Sequence, residues 1–217
     1  SYNLPLAGGC KLGERTVRPH LFALEGLGIK IQTHHDHYSV TANKLKANNV
    51  VLYEMGDTVT ENALMASAKL PGVTTIKLAS ANYMVQDLCY FLTALGVKIE
   101  GVGTSSLKVH GKVNINQRVE FNLSEDPIEA MLFLSLAATT NSAIVIERCP
   151  IDFLELELFK LEKMGFKYKI LKKYKSYNEL TNLVDIQTFA CKLTALEEKL
   201  HPQTSNAGIN IDNLPFF

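Results

Sequence analysis

The sequence predicts an α/β fold (α+β in some schemes) assembled from repeated βαβαββ units, and three observations carry that expectation. Three segments look alike: "LEGLGIKI" from Leu24, "LTALGVKI" from Leu92 and "LEKMGFKY" from Leu161. Their shared glycines, Gly28, Gly96 and Gly165, recur at an interval of about 68 residues, the mark of a structural repeat. In each copy apolar residues at helical spacing lead into the glycine, where a helix end favours a left-handed residue, and an alternating run follows. With 217 residues and 47% hydrophobic content the chain has ample material for a core.

Taken in order, residues 1 to about 42 read as the end of one unit. A helix opened by Arg15 and Arg18 runs to Leu27, and a hairpin follows with its tip at His35. A complete unit spans about 49 to 110: strand "NVVLYEM", helix "TENALMASAKL", strand "TTIKLA", the helix into Gly96, and a hairpin with its tip at Gly103 and return strand "SLKVHG". A second complete unit is expected over about 119 to 180, from "RVEFNL", "EDPIEAMLFLSLAA" and "SAIVIERC" to a hairpin tip at Lys172. The run "LVDIQTF" then reads as the first strand of a further unit. Amphipathic helices of this kind bury their apolar stripes against one side of mixed sheets.

Lys plus Arg and Asp plus Glu both number 22, so the basic excess that marks phosphate-backbone binding is missing and a nucleic-acid partner is disfavoured. The longest apolar region, Ile128 to Ile146, is broken by "TTNS" from Thr139, well short of the roughly 20 residues of a membrane span, and reads as helix, turn and strand. Cys10, Cys89, Cys149 and Cys191 form no CxxC pair, which suits a reducing, cytoplasmic setting. The chain has no initiator Met and stops in the apolar "NLPFF", so it is expected to be part of a longer protein.

The chemistry concentrates in "LAGGCKLGERTVRPH", Leu6 to His20. Two glycines allow a tight loop ahead of Cys10, and Lys11, Arg15 and Arg18 supply positive potential that favours thiolate. A small structural cysteine at a loop edge is the alternative. Glu14 follows Gly13 where a phosphate loop needs Lys, so that motif is rejected. Arg15 and Arg18 at a helix start oppose the macrodipole unless an anionic ligand compensates them, and two solvated arginines are the plainer reading. "HHDH" from His34 falls at a hairpin tip and reads as a solvated turn, not a metal site, as does "KKYK" from Lys172. Cys89, Cys149 and Cys191 fall in helical or strand patterns and are assigned to packing. Asp212 in "AGINIDNLPFF" is a carboxylate among apolar residues, either a base with a raised pKa or a turn aspartate. No metal or cofactor is called for.

These residues resemble the enolpyruvyl transferase family, and within it the branch that acts on UDP-N-acetylglucosamine. Its catalytic loop reads much like LPGGCxxGxRPVxxH, and "KLKANNVVL", "TEN", "LTALGVKIEGVGT" and "IEAMLFLSLAAT" extend the match to about residue 170. The resemblance implies two lobes of three βαβαββ units each, so that 1–118 would be part of a first lobe and 119–217 part of a second, both incomplete. It implies transfer of the enolpyruvyl group of phosphoenolpyruvate to the 3-hydroxyl of UDP-N-acetylglucosamine, the first committed step of peptidoglycan synthesis, with these two small molecules as partners. Cys10 would protonate the methylene carbon. Arg15, Val17 and His20 would contact the nucleotide sugar and phosphates, and Asp212 would face the attacking hydroxyl. The chain departs from the family at Glu54, which replaces a Lys, at Asp57, at Pro127, which replaces an Arg, and at Ala7. Acids near a pyrophosphate repel it, which motivates an alternative: a paralogue that binds or regulates without turnover. A structural or RNA-contacting scaffold is a third reading, opposed by the balanced charge. The chain alone is not expected to turn over.

Overall fold

The computed structural model, which describes residues 1–5, 16–42, 44–203 and 209–217, holds each of the three repeated glycines in left-handed backbone, at φ of 93°, 86° and 93°. The same two bonds close each preceding helix. The glycine N–H reaches back to Glu25, Thr93 or Glu162, and the N–H of the next residue reaches back to Leu24, Leu92 or Leu161. This is a Schellman ending, in which a side chain at the left-handed position would strain the backbone.

The chain divides into two compact units, Ser1–Val119 and Glu120–Phe217. The first contains β1 (Tyr2–Pro5), α1 (Arg18–Glu25), β2 (Lys30–Thr33) and β3 (His37–Thr41), then β4 (Asn49–Val51), α2 (Asp57–Ser67), β5 (Gly72–Lys77), α3 (Tyr83–Ala94), β6 (Lys98–Glu100) and β7 (Ser106–Gly111). Strands β4 to β7 with α2 and α3 form a whole βαβαββ repeat. Its sheet runs β4-β5-β7-β6, with β4 parallel to β5 through the crossover helix α2 and the other pairs antiparallel. The second unit contains α4 (Pro127–Thr139), β8 (Val145–Pro150), α5 (Glu155–Lys163), β9 (Lys167–Lys175) and β10 (Asn182–Phe189), then the short parallel pair β11 (Pro202–Gln203) and β12 (Ile209–Asn210). Three sheets share one order: β1-β3-β2, β5-β7-β6 and β8-β10-β9. In each, the return strand of the hairpin pairs antiparallel on both sides, which is the repeat expressed as topology.

The elements differ from expectation in four places. Helix α1 starts at Arg18 and stops at Glu25, short of Leu27, because Pro19 sets the first turn and the Schellman bonds at Gly28 close the last. "RVEFNL" forms no strand. Val50 in β4 and Leu52 just after it are almost fully buried, whereas in "RVEFNL" Leu123 stays 72% exposed and Val119 and Phe121 are only half-buried. "KKYK" is not a hairpin tip: Lys172 to Lys175 lie within β9, and the turn falls at Ser176 to Thr181. There the Asn178 side chain accepts from the N–H groups of Leu180 and Thr181, and Ser176 N–H bonds Thr181 O. "LVDIQTF" is consequently the return strand β10 of the third repeat, not the start of a fourth; buried Leu183, Val184 and Ile186 account for its apolar character.

The first unit's core joins Leu27, Leu52, Leu64, Ile76 and Leu107, and the second's joins Met131, Leu134, Leu154, Leu158 and Ile186. Each such side chain contributes about 1.5–3 kcal/mol by leaving water. Among the described residues no helix is long and apolar enough to cross a membrane.

Candidate functional site

Of the predicted site residues, Val17 and His20 meet at the start of α1. Val17 is the N-cap, 37% exposed, and its carbonyl accepts from the N–H of His20 (3.1 Å) and of Leu21 (3.2 Å). No side-chain cap is present, and Thr16 Oγ1 accepts instead from the N–H of Arg18 (3.2 Å). Arg18 extends over the ring of Phe22 at 5.8 Å, and Phe22 packs at 5.6 Å on Tyr53. Cys10 and Arg15 lie outside the described residues.

His20 is tied to α2. Its Nδ1 lies 2.8 Å from Nδ2 of Asn62, the last residue of "TEN". The first turn of α2 is itself anchored. Thr60 Oγ1 donates to Gly56 O (2.7 Å) and accepts from Ser80 N–H (3.0 Å), while the Asp57 carboxylate accepts from the Ser80 hydroxyl and from Asn82 Nδ2 (2.9 Å). Asp57 stands at the first helical position, where a negative charge complements the helix dipole. Loss of water around Glu61, and then the charge of Asp57, push the Glu61 carboxyl above its usual value. Glu54 is exposed. Pro127 is the first residue of α4, capped by Asp126 Oδ1 accepting from Ile128 N–H (2.8 Å), a position for which its fixed φ and missing N–H suit it.

Asp212 belongs to the second unit, exposed in the turn after β12, with its N–H donated to Asn210 Oδ1 (3.1 Å). Beneath that turn lies Glu157, which no sequence motif marks: a buried carboxylate on α5 that accepts from Asn213 Nδ2 (3.0 Å) and Asn210 N–H (3.4 Å). Asn62 also escaped a role, because bonds between residues this distant in sequence leave no local signal.

His34 to Asp36 sit at the first hairpin's turn, with the rings of His34 and His37 stacked at 4.4 Å and His37 Nδ1 bonded to Asp36 (2.7 Å). Among the described residues no group of three or more His, Cys, Asp or Glu is placed to hold a metal. Cys89 on α3 and Cys149 on β8 are fully buried, and burial pushes both thiols up to about 12. Cys191 lies beyond β10 in irregular chain, half-buried, its N–H bonded to Asn141 Oδ1 (2.6 Å).

Solved structures that share this arrangement are those of enolpyruvyl transferases, and the likeness is one of fold. The fold superposes with a TM-score of 0.69 on the enolpyruvyl transferase NikO of Streptomyces tendae, over 91% of this chain and 47% of that one at 20% identity. It superposes with a TM-score of 0.72 on the EPSP synthase of Acinetobacter baumannii, over 99% of this chain and 48% of that one at 18% identity. A family model described as EPSP synthase (3-phosphoshikimate 1-carboxyvinyltransferase) matches residues 2–205, and the chain belongs to this family. Among its curated relatives are proteins named UDP-N-acetylglucosamine 1-carboxyvinyltransferase. That of Bradyrhizobium diazoefficiens is 38% identical over 75% of this chain and 37% of its own length. That of Helicobacter pylori strain P12 is 38% identical over 76% of this chain and 40% of its own. The chain thus spans about two fifths of the length of these relatives.

Proposed function

We propose that the polypeptide carrying this chain transfers the enolpyruvyl group of phosphoenolpyruvate to the 3-hydroxyl of UDP-N-acetylglucosamine and releases phosphate. The observation that carries this reading is the identity of 34–38% to several relatives of that name, in a chain with the Gly-Gly-Cys loop. Addition of an alcohol across the double bond of an enol phosphate needs a proton at one carbon, a base for the hydroxyl and cations for the phosphate and carboxylate. Cys10 delivers its proton to the methylene carbon. Asp212 takes the proton of the attacking hydroxyl, and Arg15, Val17 and His20 hold the nucleotide sugar and phosphates. The hydroxyl oxygen bonds to the carbon that bears the phosphate; the methyl carbon then gives a proton back to the Cys10 thiolate as the C–O bond to phosphate breaks, which re-forms the double bond and releases phosphate. Residues 1–118 belong to one lobe and 119–217 to the other, and the reaction is cytoplasmic, within peptidoglycan synthesis.

Two of the departures have local structural reasons. Asp57 is held by Ser80 and Asn82, and Pro127 starts α4. Exposed Glu54 is the observation favouring a second reading, a paralogue that binds the sugar nucleotide without turnover. Phosphate release from phosphoenolpyruvate by the carrying polypeptide separates the two. Release that needs both UDP-N-acetylglucosamine and Cys10 supports transfer; calorimetric binding of the sugar nucleotide with no release supports the second reading. Release indifferent to Cys10→Ala removes the acid role.

A further inference from the structure

We infer that Asn62 is a positioning residue that fixes His20 as its Nε2–H tautomer, so that the imidazole offers a single N–H donor to an anionic sugar nucleotide; the ligand half of this rests on the reading of His20 as a substrate contact. The amide nitrogen of Asn62 is a donor only, and it lies 2.8 Å from His20 Nδ1. A ring nitrogen facing a donor carries the lone pair, so the proton of the neutral ring sits on Nε2. Both ends of the pair are held. His20 is in the first turn of α1, its N–H bonded to Val17 O. Asn62 follows the α2 turn that Thr60, Ser80, Asp57 and Asn82 pin in place. The bond is partly buried and joins two helices packed on each other within one unit, so ring rotation away from Asn62 leaves its amide without this partner. Orientation of a ligand-binding imidazole by a hydrogen bond to its other nitrogen is a general device for fixing tautomer and aim.

Nitrogen-15 NMR of the polypeptide carrying this chain, at mildly alkaline pH, reads the tautomer directly. In the wild type, His20 Nδ1 is expected at the shift of an unprotonated ring nitrogen and Nε2 at that of a protonated one. Asn62→Asp sets an acceptor against Nδ1 and is expected to move the proton there. Asn62→Ala is expected to average the two shifts and to weaken UDP-N-acetylglucosamine binding, by calorimetry, roughly ten-fold. A protonated Nδ1 in the wild type overturns the inference and needs no variant to fold. So does an Asn62→Ala protein whose ring shifts and affinity match the wild type. A wild type in the Nε2–H form that binds no sugar nucleotide overturns the ligand half and the substrate reading of His20, a failure the spectrum distinguishes from failure of the pairing.

Discussion

Asn213 donates through Nδ2 to Glu157 Oε1 at 3.0 Å, and the two residues are only 1% and 4% exposed. The bond ties the turn that carries Asp212 to helix α5 of the third repeat. Removing Glu157 strands a buried amide, so Glu157→Ala is expected to lower stability by about 1–3 kcal/mol. Glu157→Gln, which keeps an acceptor oxygen, is expected to recover much of that loss. Denaturant titration of the two variants checks the order, and equal losses would show that the acceptor is irrelevant.

The three Schellman glycines are expected to differ in tolerance. All pay the left-handed strain, about 1–2 kcal/mol for a residue with a Cβ. A Cβ on Gly28 would meet the backbone oxygen of Lys44 at 2.3 Å, whereas on Gly96 it would meet Lys112 Nζ at 2.4 Å, the far end of a long side chain that can turn away at the cost of its bond to Leu95 O. Gly28→Ala is therefore expected to destabilise more than Gly96→Ala. Their urea midpoints report the comparison, and a larger loss at Gly96 would contradict it.

This contrast also shows what the sequence could reveal. The repeat was legible because a left-handed helix end selects glycine, so Gly28, Gly96 and Gly165 mark it locally. Strand extents were not. Whether "RVEFNL" pairs, or β9 continues through Lys175, depends on burial and on a turn set by Asn178, not on alternation alone. At the site, the Gly-Gly-Cys loop and "TEN" stood out as motifs, but the His20–Asn62 bond arises only when α1 packs on α2. Glu157 was hidden because a lone glutamate in an amphipathic helix looks solvated until the chain near Asn213 covers it.

Asp185 supplies a pH signature. Its carboxylate accepts from the Tyr174 hydroxyl and from the N–H of Arg148 (3.1 Å), a residue at φ 58° beside the register shift of β8 and β10. The Tyr174 bond first, then the Arg148 N–H and the charge of Lys172, hold Asp185 below the usual carboxylate range against the effect of burial. Such a group stabilises the fold above its unfolded value and loses that contribution as pH falls through the folded one. Tyr174→Phe is expected to be less stable than wild type at neutral pH and to converge with it in acid. The Tyr174 hydroxyl is pushed up to about 12 by burial and then by Asp185, so wild-type stability is also expected to fall from about pH 10, where the unfolded chain ionises. Melting curves across pH test both limbs.

The buried thiols should be inert in the native state. With Cys89 and Cys149 pushed up to about 12, almost no thiolate exists near neutral pH, and the nucleophile is the thiolate. Iodoacetamide is expected to modify half-buried Cys191 before either of them, and to reach them only as denaturant unfolds the chain. Native-state modification of Cys89 or Cys149 at the rate of Cys191 would contradict this.

The central claim is that the Gly-Gly-Cys loop presents a selectively reactive acid. Treatment of the chain with an epoxide phosphonate such as fosfomycin, followed by peptide mass spectrometry, addresses it most directly. Enolpyruvyl transfer through Cys10 predicts one adduct, on Cys10, with Cys89, Cys149 and Cys191 unmodified. Absence of an adduct on Cys10, or adducts spread over the four cysteines, would contradict it.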